Sequence, residues 1–181
     1  MVEIAPARPL EIMATAWLQP LLPAARLIFC GAETAERALV AALGLPGPAA
    51  ACAATSSSGR SMLWLGPDER LLLAPAAERL ALISSIEAAL AGHAHSLVDV
   101  SHRQIACELS GPEAVRLLNS QCPLELSPTA FPVGMCTRTV FAKTEIVLWR
   151  TAPDRFHVEV WRSFAPYLLT LLECVARETG A

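Results

Sequence analysis

The stretch RFHVEVWRSFAPYLLTLL (155–172) decides the fold. Phe156, Val158 and Val160 alternate with His157 and Glu159, the period of two that predicts a strand with one apolar face. Ser163 and Pro166 then open a helix on which Leu168, Leu171, Leu172 and Val175 recur at three- and four-residue spacing. A strand that runs straight into an amphipathic helix, each with one face to bury, predicts helices packed on one side of a sheet.

Working outward, the preceding residues supply the rest of such a unit. Gln104 to Leu109 alternates Ile105, Cys107 and Leu109 with polar or small residues, and SGPEA (110–114) opens a helix with Ala114, Leu117 and Leu118 inward, ended by Pro123. Strands are predicted over 136–142 and 145–150, then the turn Ala152-Pro153-Asp154. The first half follows the same order. RLIFC (26–30) reads as a strand, and Gly31 breaks it. Ala35, Ala38, Leu39, Ala42 and Leu43 then form a helical stripe that Gly44 stops. Residues 62–65 and 70–73 flank Gly66-Pro67-Asp68-Glu69 as a hairpin, and a helix after Pro75 carries Leu80, Ile83, Ile86 and Leu90 up to Gly92.

The halves also align residue by residue: Phe29-Cys30-Gly31-Ala32-Glu33 with Leu109-Ser110-Gly111-Pro112-Glu113, and Trp64 through Pro67-Asp68 with Trp149 through Pro153-Asp154. The expected class is α+β, built of duplicated β-α-β-β-α units with mainly antiparallel sheets. One domain is expected over residues 26–181, with halves at about 26–92 and 97–178, after a Pro/Ala-rich arm at 1–25. Pro6, Pro9, Pro20 and Pro23 keep that arm irregular. Ile4, Leu10, Ile12, Met13, Trp17, Leu18, Leu21 and Leu22 give it apolar side chains to lay on its own domain or on a neighbouring subunit.

Composition narrows the function. Hydrophobic residues make up 54% of 181 and charged residues 17%, with mean hydropathy +0.43, which favours an apolar surface shared with another protein. A net charge of −3 and no Lys/Arg block argue against nucleic acid. The long uncharged stretch 38–59 contains Gly44, Pro46, Gly47 and Pro48 and is no membrane helix; with no basic leader pattern, a cytoplasmic protein is expected. Cys30, Cys52, Cys107, Cys122, Cys136 and Cys174 show neither zinc-knuckle nor CxxC spacing and read as small buried hydrophobes kept reduced.

Two polar groups compete as sites. His93, His95, Asp99, Ser101, His102 and Arg103 bring together groups suited to metal binding or nucleophilic chemistry, but no HExxH-type spacing or GxSxG elbow supports either, and helix caps and turns account for them. The run SSSGRS (56–61) is a polar loop without a phosphate-loop signature, and GxGxxG is absent. The richer patch comprises Arg138, Lys143, Trp149, Arg150, Asp154, Arg155, His157, Glu159, Trp161 and Arg162. Arg and Trp anchor interfaces, so Trp149, Arg150, His157, Trp161 and Arg162 are the candidate subunit contacts. No residue is assigned to catalysis or metal, and cofactor contacts stay open.

The motifs DVSHR (99–103), LSGPEA (109–114), CPL (122–124), FPVGMCTRT (131–139), VLWR (147–150) and FHVEVWRSFAPY (156–167) resemble the sarcosine oxidase gamma subunit family over about residues 97–178. The resemblance implies a non-catalytic subunit beside alpha, beta and delta partners, in a heterotetramer that oxidises sarcosine to glycine. That enzyme forms hydrogen peroxide and releases the methyl group as formaldehyde or passes it to tetrahydrofolate. FAD, FMN, NAD, zinc and tetrahydrofolate are then expected in the other subunits, and none on this chain. It also implies a fold similar to the folate-binding domain of aminomethyltransferases. The alternative is an independent folate-binding or one-carbon-transfer protein, with a carboxylate such as Asp99 holding the pterin.

Overall fold

The computed structural model describes residues 14–180. In chain order the first half contains β1 (Leu18–Pro20), β2 (Ala24–Gly31), α1 (Glu33–Leu43), β3 (Ala54–Ser57), β4 (Arg60–Trp64), β5 (Glu69–Pro75), α2 (Arg79–Ala89) and β6 (His95–Asp99). The second half contains β7 (Gln104–Ser110), α3 (Ala114–Asn119), β8 (Cys136–Phe141), β9 (Thr144–Ala152), β10 (Arg155–Trp161) and α4 (Ala165–Thr179). A short 3-10 turn leads into each of α2 and α4, at Ala76–Glu78 and Arg162–Phe164.

Most elements follow from the patterns above. Gly44 closes α1 at φ 66, in the left-handed region, with its N–H on the Val40 carbonyl. The β4–β5 hairpin forms around Gly66-Pro67-Asp68. SSSGRS is not a loop but the tip of a second hairpin: Ser56 and Ser57 end β3, Ser58 and Gly59 turn at φ 52 and 77, and Arg60 and Ser61 begin β4. The stripe of α2 is rotated from the expected one. Leu82, Ile86 and Leu90 are buried while Leu80 is 69% exposed, because the helix starts at Arg79 after the 3-10 turn and the 82/86/90 row meets the sheet.

Two five-stranded sheets result, ordered β3-β4-β5-β2-β6 and β8-β9-β10-β7-β1, with antiparallel pairing throughout. Strand for strand the two orders match. The fifth strand of each sheet is exchanged: β1 leads into β2 but pairs with β7, and β6 leads into β7 but pairs with β2. Of the stretch expected to be an arm, residues 14–25 thus contain a sheet strand and the start of β2; Ile4, Leu10, Ile12 and Met13 lie outside the described residues. The repeat shows again in matching turns, where Gly31 N–H donates to the Asp68 carbonyl and Gly111 N–H to the Asp154 carbonyl, both at 3.0 Å.

Three apolar clusters place the layers. Leu27, Phe29 and Leu72 pack under α1 and α2; Leu109, Leu148, Phe156, Val158 and Val160 pack under α3 and α4. Between them Leu63, Leu71 and Leu73 meet Cys136 and Val147, so the helix-free faces of the two sheets lie against each other. Phe156→Ala removes a fully buried ring from the second core and is expected to cost about 3–5 kcal/mol by urea unfolding. Leu80→Ala is expected to stay within about 0.5 kcal/mol of the parent.

Candidate functional site

Alternation along β10 sends Phe156, Val158 and Val160 to the helices and leaves His157 and Glu159 facing the other sheet. Glu159 is 0% exposed. One of its oxygens accepts from Arg26 Nε at 2.6 Å, across from β2, and the other accepts from His157 Nε2 at 2.8 Å. Arg26 is buried too and also donates to the Ala24 carbonyl. Burial pushes the Glu159 carboxyl up, but the hydrogen bond and charge of His157 and the Arg26 guanidinium outweigh it and hold the group below its ordinary value. Burial, reinforced by that carboxylate, pushes the neighbouring Cys107 thiol up to about 12.

The DVSHR crossover is fastened beside this pair. Arg26 N–H donates to Ser101 Oγ at 2.9 Å, Val100 N–H donates to the Arg26 carbonyl at 2.8 Å, and Asp99 accepts from both the N–H and the hydroxyl of Ser101. Arg79 from α2 bonds the other Asp99 oxygen. The Asp99 carboxyl is raised by burial, yet its bonds to Ser101 and Arg79 bring it below its ordinary value. His95 bonds the His93 carbonyl and Glu87. These residues therefore form turn and strand contacts, and among the described residues no group of three or more His, Cys, Asp and Glu could hold a metal ion.

The candidate contacts separate into inner and outer groups. Arg150 is a correction. It is buried on the helix side of β9, where its guanidinium donates to the carbonyls of Leu126, Phe131 and Pro153 and lies over the Phe156 ring at 5.0 Å. It ties down the loop before β8 and is not a surface anchor, because it has the donors that a loop without ladder bonds needs. Trp149 and His157 stack at 5.7 Å on the sheet-to-sheet side and are mostly covered by the chain itself. Trp161 is 40% exposed, with Arg103 over its ring at 5.1 Å. Arg162 donates from its backbone to the Arg103 carbonyl and from Nε to the His102 carbonyl. Phe164 and Tyr167, also exposed, continue this outer patch onto α4. Both stand in the FHVEVWRSFAPY motif but were not among the expected contacts.

Two face-to-face antiparallel sheets with helices outside define an aminomethyltransferase-like α+β fold. The aminomethyltransferase T of the glycine cleavage system from Bartonella henselae matches with TM-score 0.65 over 86% of this chain and 44% of that one, at 14% identity, a likeness of fold alone. The model of the sarcosine oxidase, gamma subunit family matches residues 30–178, and the chain belongs to that family. A chain of the heterotetrameric sarcosine oxidase from Corynebacterium sp. U-96, solved with pyrrole 2-carboxylate, matches with TM-score 0.84 at 31% identity, covering 91% of this chain and 85% of that one. Sarcosine oxidase subunit gamma of an Arthrobacter species is 40% identical over 123 residues, which are 67% of this chain and 59% of the relative. The chain spans about 55–65% of the length of the curated relatives it matches. No helix among the described residues is long and apolar enough to cross a membrane.

Glu159 sets an acid limb. A carboxylate depressed in the folded state adds stability above its ordinary value of 4.5, and that stability is lost as pH falls through the folded value. Glu159→Gln is expected to flatten the stability profile below about pH 4.5. It should also cost about 3–5 kcal/mol at pH 7, since Arg26 is left buried without its counter-charge; urea unfolding from pH 3 to 7 checks both.

Proposed function

We propose that this chain is the gamma subunit of a heterotetrameric sarcosine oxidase and serves there as a non-catalytic assembly subunit in the cytoplasm. The supporting observation is the match, over nine tenths of the chain, to a chain of the Corynebacterium heterotetramer. The geometry agrees with that role. The side chains suited to chemistry are committed to internal bonds: Glu159 to His157 and, across the two halves, to Arg26, and Asp99 and Ser101 to each other, to Arg79 and to the Arg26 backbone. In this reading the alpha, beta and delta subunits carry FAD, FMN, NAD, zinc and the tetrahydrofolate site, and the complex demethylates sarcosine to glycine with peroxide formation.

Contact with the partners falls on the outer patch of Trp161, Arg162, Phe164 and Tyr167, where large rings stand exposed beside arginines. Co-expression of the tagged chain with the other three subunits should recover a flavin-containing complex; a lone colourless monomer would overturn the reading. The double variant Trp161→Ala/Phe164→Ala is expected to weaken assembly by about tenfold or more, with the isolated chain's thermal midpoint little changed.

The fold likeness to an aminomethyltransferase raises one second reading, an independent folate binder. Asp99, the carboxylate suited to a pterin, is already bonded to Arg79 and Ser101. Saturating tetrahydrofolate is therefore expected to leave the isolated chain's thermal midpoint unchanged. Binding at a hundred times Kd would add about 2.7 kcal/mol and a visible rise, which would favour the second reading.

A further inference from the structure

Cys52 and Cys136 stand opposite each other where the two halves join. Ala53 and Met135 form an antiparallel bridge between the segments before β3 and β8. It is flanked by hydrogen bonds from Cys136 N–H to the Cys52 carbonyl at 2.7 Å and from Ala54 N–H to the Gly134 carbonyl at 2.8 Å. One step along that register, the Cys136 N–H bond to the Cys52 carbonyl makes the two cysteines direct backbone neighbours at the end of the bridge, where Cys52 turns out of the strand. Disulfides bridge Cα separations of about 4.4–6.8 Å. Cys52 also lies near enough to help raise the Cys136 thiol. All the cysteines are free.

The two thiols differ in access. Cys52 is partly exposed and sits at φ 59, a left-handed backbone that non-glycine residues adopt sparingly. Cys136 is fully buried, with its sulfur 3.5 Å from the Trp64 carbonyl, and burial pushes its thiol up to about 12. One thiol is thus within reach of a small oxidant and the other is sheltered behind it.

We propose that Cys52 and Cys136 form a redox pair that an oxidant of the peroxide class closes into a disulfide across the two halves. In the first step the Cys52 sulfur attacks the peroxide O–O bond, giving Cys52 sulfenic acid and water. In the second the Cys136 sulfur attacks the sulfenic sulfur; the S–S bond forms, the S–O bond breaks, and hydroxide leaves with the Cys136 proton as a second water. Two thiols lose two electrons in total and one hydrogen peroxide is reduced to two waters. The buried partner reacts only after its neighbour has been oxidised, which makes Cys52 the sensing thiol and Cys136 the resolving one.

The test uses the full chain, reduced, desalted and exposed to hydrogen peroxide in slight molar excess. Intact mass should fall by about 2 Da, the mass of two hydrogens, and a non-reducing peptide map should show the 52–136 link. The thermal midpoint should rise by roughly 5 °C or more, since the bond closes a long loop, and dithiothreitol should reverse both changes. Cys136→Ser should leave a sulfenic acid at Cys52 that dimedone traps, and Cys52→Ser should give neither adduct nor link. A wild-type map with Cys136 still reduced while Cys52 has gone to sulfinic acid would overturn the proposal. So would a map in which other cysteines oxidise and this pair stays free. The wild-type map decides the matter whether or not either variant folds.

Discussion

A carboxylate with no access to water has to be answered from within the chain, and Glu159 is answered by Arg26 and His157. Much else in the molecule follows from that requirement. Arg26 must come from the other half, so the two sheets have to meet on the faces that carry no helices. β2 must be held at a fixed height, and Ser101 and Val100 bond both backbone groups of Arg26. The ion pair is weak evidence of net stability, since an apolar pair of the same volume would serve as well. Its effect is on geometry: one arrangement of the halves satisfies the charge, and sliding by a residue leaves it unpaired.

Several motifs that resemble the sarcosine oxidase gamma family gain a structural meaning from this arrangement. DVSHR and VWRSF meet at one corner, through Arg103 on Trp161 and the Arg162 bonds to residues 102 and 103. VLWR reaches FPVGM through Arg150, which gathers carbonyls of the loop before β8. These are the places where a chain with short elements needs polar fastening.

The period-two strand at 155–161, the helices ended by glycine and the turn pairs at Asp68 and Asp154 were readable in the residues, because each rests on local backbone and patterning. The facing of the sheets was not. His157 and Glu159 carry the composition of a wet surface, and only long-range packing reveals that a second sheet covers them. Arg150 misled for the same reason, since a guanidinium buried on backbone carbonyls has no linear mark. β1, β3 and β6 are too short for periodicity to declare them, and β1 lies amid prolines. Cysteine spacing likewise says nothing about a pair brought together by register. The inner part of the candidate site was therefore hidden, while the exposure of Trp161 matches its reading as an outer residue.

The exchange of the fifth strands bears on how the chain reaches its shape. β1 leaves the ribosome early, yet its partner β7 begins some way past the midpoint of the sequence, with Leu18 paired to Leu109. During synthesis the early strand has nowhere to dock, and the nascent first half must carry it unpaired while its own sheet assembles. Pairings so distant in sequence are slow to close. The pairing of Leu18 with Leu109 therefore closes the longest excursion of chain in either sheet, and stitches the start of the first half to the second.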